Sequence, residues 1–351
     1  MDISKIDKNL EVITTIDKDD IIWLDASLSP FKLYGAAGAN PYIRMPLDIA
    51  KSINDGVLGL SKNTAGIRLK FRTNSPYIAI HCERNSVFKM PHITDAGQSG
   101  FDLYSVSPNK QQHFIGMFMP PVDCGKGYDS LVAVTGNMTD YVINFPLYSS
   151  VDKLYIGVKE GSDFEEPIKY TNEKPVVFYG SSITQGGCAS RPGNCYQNFL
   201  SRNLDMDYIN LGFSGSGKAE DIMVDYLASL DMAVFVSDYD YNAPNADYLK
   251  DTHYKMYRKI RDKHPEIPYI ILSKPDYRYN EENDKRRTVI METFTRALTE
   301  GDKNVYFVDG ASLFAGDEWE ACTVDGCHPN DLGFYRFAKA LYPTLKIALK
   351  Y

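Results

Sequence analysis

The sequence is short of positive charge: 38 Lys and Arg face 46 Asp and Glu, a formal net charge of -8. Nucleic-acid binding needs clustered cations over phosphates, so this balance argues against such a partner and favours a neutral one. No apolar run approaches the roughly 20 residues of a membrane span, so no membrane partner is expected. The six cysteines, Cys82, Cys124, Cys188, Cys195, Cys322 and Cys327, show no CxxC spacing, which speaks against a structural zinc site. They read as free thiols; a bridge between the Cys188/Cys195 and Cys322/Cys327 pairs is the alternative. The N-terminal stretch MDISKIDKNLEVITTIDKDD lacks the apolar core and cleavage site of a secretory signal, so the expected location is the cytoplasm. Internal repeats and low-complexity tracts are missing too.

What is present is enough for two cores. A length of 351 residues exceeds the usual size of one compact domain, and 44% hydrophobic against 24% charged residues is an ordinary globular balance. From about Ile21 to Val158, short alternating runs such as GIRLKFRT, YIAIHCE and KLYIGVK are broken by Gly, Pro and Asn. Period-two alternation with frequent turns predicts an antiparallel sandwich, with no long helical period interrupting it. From Pro175 the pattern changes to apolar runs, VVFYG, YINLGF, MAVFVSD, YIILSKP and NVYFVDG, separated by helical segments. Buried strands alternating with helices predict a parallel sheet. The segments NADYLKDTHYKMYRKIRDKH and NDKRRTVIMETFTRALTEGD have apolar residues at three- and four-residue spacing and read as sheet-covering helices. The polar stretch GSDFEEPIKYTNEKP reads as the linker, which places a boundary near Lys169.

Four strand ends carry polar groups. VVFYG runs into Ser181-Ser182, at the end of the first parallel strand, where open α/β sheets bind ligands. A serine there is equally a helix cap. Near the C-terminus, Asp325 and His328 stand three residues apart before the last helix, a spacing that lets the carboxylate reach Nδ1 and leaves Nε2 for a serine. Asn210-Leu211-Gly212-Phe213-Ser214-Gly215-Ser216-Gly217 turns a strand end into a glycine loop whose N–H groups suit an oxyanion; it lacks the ending of a nucleotide-phosphate loop. After MAVFVSD, Asn242 can donate its amide to the same oxyanion or cap the turn before Pro244.

In this order, Ser, Gly, Asn, then Asp-x-x-His, the four segments resemble the SGNH hydrolase superfamily, the GDSL lipases or acylhydrolases. The resemblance implies an α/β catalytic domain of three α/β/α layers around a flavodoxin-like parallel sheet, a serine esterase activity and no cofactor or metal. It makes Ser182 the nucleophile and Asp325 and His328 its partners. The backbone of Ser182 and Gly215 and the side chain of Asn242 would form the oxyanion hole. Ser181 stands where the name-giving Asp of that family would be, leaving two adjacent serines, of which register favours Ser182. Gly100-Phe101-Asp102-Leu103-Tyr104 and its flanking motifs resemble the GxDLY-type β domain found ahead of some such esterases. Residues 1–168 would then be a jelly-roll-like β-sandwich accessory domain and 169–351 the hydrolase.

For the substrate, Arg191 in the loop after the nucleophile is a candidate contact with a hydroxylated leaving group, its alternative being simple solvation. Trp319 is a candidate sugar platform, its alternative being core. No long apolar lid is evident, so short-chain esters, acetyl esters of carbohydrates above all, are expected over lipids. An acyltransferase with the same triad and a noncatalytic carbohydrate-binding protein are the competing readings. Homo-oligomerisation is left open.

Overall fold

Alternation in the N-terminal half becomes antiparallel pairing. In a computed structural model that describes residues 12–37, 40–85, 87, 89–275 and 280–350, the chain runs β1 (Ile21–Asp25), β2 (Lys32–Tyr34), α1 (Leu47–Ile53), α2 (Asp55–Ser61), β3 (Arg68–Thr73), β4 (Tyr77–Glu83) and α3 (Asp95–Ser99). It continues through β5 (Phe101–Val106), β6 (Gln112–Phe118), β7 (Gly127–Ala133), β8 (Thr139–Asn144), β9 (Lys153–Lys159) and β10 (Phe164–Glu165). One sheet has the order β1-β9-β4-β7, the other β10-β3-β8-β5-β6 with β2 against β3, and every pair is antiparallel. Leu24, Ile78, Ile80, Leu154 and Ile156 of the first sheet share one core with Leu69, Phe71, Phe101, Leu103 and Ile143 of the second. These are alternate positions along each strand, as a sandwich requires.

The C-terminal half follows as β11 (Asn172–Gly180), α4 (Ser182–Gln185), α5 (Tyr196–Leu204), β12 (Met206–Gly212), α6 (Asp221–Ser229), β13 (Val234–Asp238), α7 (Ala246–Lys263), β14 (Tyr269–Leu272), α8 (Glu281–Thr299), β15 (Val305–Val308) and α9 (Asp331–Ala348). The sheet is parallel, ordered β12-β11-β13-β14-β15. Its strands are buried on both faces. Val177, Tyr179, Leu211 and Phe235 pack with Ala50, Val57, Met223, Leu249 and Ile290 of α1, α2, α6, α7 and α8. On the other face Phe178 meets Tyr196 of α5, which stacks on Phe337 of α9 at 4.2 Å between ring centroids. Three α/β/α layers result. Side-chain caps start the long helices: Asn245 accepts from Tyr248 N, Asn280 from Glu282 N and Asn283 N, and Asn330 from Leu332 N and Gly333 N. Among the described residues no helix is long and apolar enough to cross a membrane.

Two compact units divide the chain. One holds the described residues up to Arg44, Lys62–Tyr170 and Ser190–Gly193; the other holds Met45–Ser61, Thr171–Ala189 and Asn194 onward. Two short helices, α1 and α2, lie within the N-terminal pattern; at seven residues each they span too few turns to show a long helical period. The stretch read as linker also contains structure, since Phe164 and Glu165 pair with Thr73 and Arg72.

Candidate active site

Strand β11 lies between β12 and β13, so its C-terminal end is the point where strand order reverses. Crevices open there in doubly wound sheets. Beyond Gly180 the two serines take separate work. Ser181, fully buried, is the N-cap of α4 and its Oγ accepts from Ile183 N at 3.2 Å. Ser182 is half-buried, and its Oγ lies 2.9 Å from His328 Nε2. The single turn of α4 stops at Gly186, whose φ of 103° is left-handed and whose N–H reaches back to the carbonyls of Ser182 and Ile183.

His328 sits in a tight loop closed by a bridge between Thr323 and Pro329 and by Val324 N donating to His328 O at 2.9 Å. Inside it, Asp325 Oδ1 accepts from Cys327 N at 3.0 Å and His328 N at 2.7 Å, and Oδ2 lies 2.7 Å from His328 Nδ1. Burial opposes ionisation of Asp325, but the N–H groups and the imidazole outweigh it and hold the carboxyl down at about 2. An ionised Asp325 can only accept, so Nδ1 carries the proton and Nε2 presents its lone pair to the Ser182 hydroxyl. Ser182, His328 and Asp325 are thus brought together in the geometry of a general base relay.

The glycine loop follows β12. Gly215 is exposed with φ 65°, and a Cβ there would meet no atom within 4 Å, so it is backbone conformation that asks for glycine. Gly212, in contrast, needs glycine for space: a Cβ would fall onto the backbone of Thr184 and Gln185. Asn242, the expected side-chain donor to the oxyanion, reaches the same loop. Its Nδ2 donates to Phe213 O at 2.8 Å and Gly217 O at 3.1 Å, which fastens the loop. The short 3₁₀ turn Asp240–Asn242 aims the side chain that way. Replacing Asn242 by Ala is therefore expected to cost about 1–3 kcal/mol of stability, from two buried carbonyls left without donors, measured by urea unfolding. Unchanged stability with a turnover loss of a few hundredfold would instead assign Asn242 to the oxyanion.

Arg191, the expected substrate contact, is held by three neighbours. Its Nη1 lies 3.0 Å from Asp102 Oδ2 and bonds the Tyr104 hydroxyl, and its guanidinium covers the Phe114 ring at 4.0 Å. Trp319 opens a 3₁₀ turn, Trp319–Cys322, and is half-buried. All six cysteines are free thiols; burial, with the charges of Asp325 and Cys327, pushes Cys188 up to about 12.

Sequence reasoning missed a buried polar layer beneath the loops. Thr184 Oγ1 donates to Asp238 Oδ2 at 3.0 Å, and its carbonyl accepts from Asn210 Nδ2 at 2.8 Å and Gln197 Nε2 at 2.7 Å. Gln185 Oε1 accepts from Ser214 N at 3.1 Å, tying the first loop to the glycine loop. Burial raises the Asp238 carboxyl well above its usual range, and the neighbouring Asp240 adds to the shift. The available signal was polarity inside apolar strands, Asn210 in YINLGF and Asp238 ending MAVFVSD.

The profile of the GDSL-like lipase/acylhydrolase family matches residues 173–346, and that of the GxDLY domain, the N-terminus of SGNH-hydrolase-type esterases, matches residues 21–164. Among solved structures, a candidate GDSL-like lipase from Bacteroides ovatus is 30% identical, with a TM-score of 0.84 over 94% of this chain and 98% of that one. A salicylyl-acyltransferase from a tetracycline biosynthetic pathway aligns over 94% of this chain and 98% of its own at 17% identity and a TM-score of 0.76. An acetyl xylan esterase from the rumen bacterium Butyrivibrio proteoclasticus aligns over 94% and 99% at 15% identity and 0.57. The last two show the fold alone. No curated protein matches the chain.

Proposed function

The chain belongs to the GDSL-like lipase/acylhydrolase family, and we propose that this carboxylic ester hydrolase removes short acyl groups, acetyl above all, from carbohydrates through an acyl-serine on Ser182. The observation that carries the reading is the relay from Asp325 through His328 to Ser182 Oγ, at 2.7 and 2.9 Å. His328 Nε2 takes the hydroxyl proton as Ser182 Oγ attacks the ester carbonyl. The tetrahedral oxyanion faces the backbone N–H groups of Ser182 and Gly215. Collapse expels the alcohol, which receives the proton from His328, and water activated by the same imidazole releases the acid.

The acetyl and carbohydrate parts of the reading draw support from the fold shared over 94% of this chain with the acetyl xylan esterase. Trp319 is kept as the aromatic surface for a sugar ring. The test is a series of aryl esters of rising acyl length beside acetylated xylo- and cello-oligosaccharides, with products resolved by mass. Acetyl should exceed octanoyl by at least about tenfold in kcat/KM, since a pocket discriminates chain length by roughly 1–3 kcal/mol per methylene. Equal rates along the series, or no acetate from any oligosaccharide, would overturn the reading. Acylated alcohol outpacing free acid in the presence of an added sugar acceptor would replace it with an acyltransferase.

A further inference from the structure

Ser182 opens the single turn of α4, and the residue that fastens this turn is Thr184. Thr184 is fully buried; its hydroxyl donates to Asp238 Oδ2 at 3.0 Å, and its carbonyl accepts from Asn210 Nδ2 at 2.8 Å and Gln197 Nε2 at 2.7 Å. One residue is thereby tied to three elements: β13 through Asp238, β12 through Asn210 and α5 through Gln197. Asp238 ends β13 in register with Gly180, which ends β11 just before the two serines. The fit is so close that a Cβ on Gly180 would come within 2.1 Å of Thr184 Oγ1 and 2.3 Å of Asp238 O. Asp238 is itself fully buried, and its Oδ1 has no hydrogen-bond partner among the described residues. Every one of these residues belongs to the hydrolase unit.

We infer that Asp238 is a positioning residue for the esterase: acting through the Thr184 hydroxyl, its carboxyl fixes the turn that presents Ser182 Oγ to His328 Nε2. The inference rests on Ser182 being the nucleophile of the proposed reaction. A helix of one turn has little rigidity of its own, so the side chains that anchor it set where its first residue stands. The precision matters, because a nucleophile displaced by about 1 Å can lose on the order of 10²-fold in rate. An ionised carboxylate buried with a single hydroxyl donor would be costly. Burial and the nearby charge of Asp240 accordingly drive the Asp238 group toward its neutral acid. What Asp238 supplies is a placed acceptor for the Thr184 hydroxyl, which an amide of the same shape can also supply.

The experiment compares wild type with Asp238→Leu, Asp238→Asn, Thr184→Val and the double variant Asp238→Leu/Thr184→Val, all as full chains. It reads kcat and KM for p-nitrophenyl acetate, the rate of covalent labelling by a serine-directed phosphonate, and thermal unfolding. Asp238→Leu and Thr184→Val should each lower kcat and the labelling rate at least about tenfold with KM within about threefold, the pattern of an interaction that serves the transition state. Asp238→Asn keeps the acceptor and should stay within about threefold of wild type in both rates. The double variant should fall no further than the slower single one, since both act through one hydrogen bond. A merely structural role would lower the unfolding temperature and leave kcat and labelling of the folded protein unchanged, and that result would overturn the inference. So would an Asp238→Asn enzyme as slow as Asp238→Leu, or losses that add in the double variant. If Asp238→Leu does not fold, Thr184→Val, which exchanges a hydroxyl for a methyl group, decides by the same rates. A wild type that hydrolyses no aryl ester yet takes the label loses the esterase reading, and the labelling rates alone then decide the positioning; one that does neither overturns both the role of Ser182 and this inference.

Discussion

Ser182→Ala should lose hydrolysis of p-nitrophenyl acetate by a factor on the order of 10⁶ in kcat, as nucleophile removal does in serine hydrolases, while Ser181→Ala keeps turnover within about tenfold and instead loses about 1 kcal/mol of stability, the worth of an N-cap. The two side chains are neighbours in sequence but differ in what they face. Ser181 Oγ is spent on Ile183 N inside a fully buried position, so its loss frees one amide at the start of α4. Ser182 Oγ faces a group suited to take its proton, His328 Nε2, 2.9 Å away. Measuring kcat, urea unfolding and covalent labelling by a serine-directed phosphonate on both variants separates the roles. An active, label-accepting Ser182→Ala protein beside a dead Ser181→Ala would reverse the assignment.

That ambiguity shows which features are legible in a sequence. The parallel strands were readable because burial on both faces leaves runs such as VVFYG with no polar position, and the helices Ala246–Lys263 and Glu281–Thr299 because 18 and 19 residues give the apolar stripe several turns to repeat. Asp325 and His328 were readable because a three-residue loop spacing nearly dictates their contact. Asn242 was not: whether its amide faces an oxyanion or the carbonyls of Phe213 and Gly217 depends on the rotation of one 3₁₀ turn. Arg191 was not, because its partners Asp102 and Tyr104 lie 89 and 87 residues away. Local pattern carries no record of such pairings. The buried layer of Thr184, Gln197 and Asn210 likewise exists only once three segments converge.

Asp325→Asn gives the other large effect and a test of the relay itself. With an amide in place of the carboxylate, either an NH2 opposes Nδ1–H or the imidazole reverses its tautomer and turns Nε2–H toward Ser182. Either way the base is lost, and kcat should fall by about 10⁴ with the fold kept. The pH dependence follows from the same hydrogen bonds. The folded carboxyl titrates at about 2, below the roughly 3.9 of an unfolded Asp. A depressed carboxyl contributes stability that is present above the unfolded value and is lost as pH falls through the folded one. The wild type should therefore shed this contribution between about pH 4 and pH 2, and Asp325→Asn should show a correspondingly smaller acid loss in the unfolding midpoint. With 39% of the side chain exposed, solvent screens much of the interaction, so the stability change is modest beside the kinetic one. Since the Asp325 carboxyl titrates at about 2, no limb of the wild-type activity profile above about pH 4 belongs to it. An Asp325→Asn enzyme retaining more than a tenth of wild-type kcat would show that the backbone of the 323–329 loop alone orients His328.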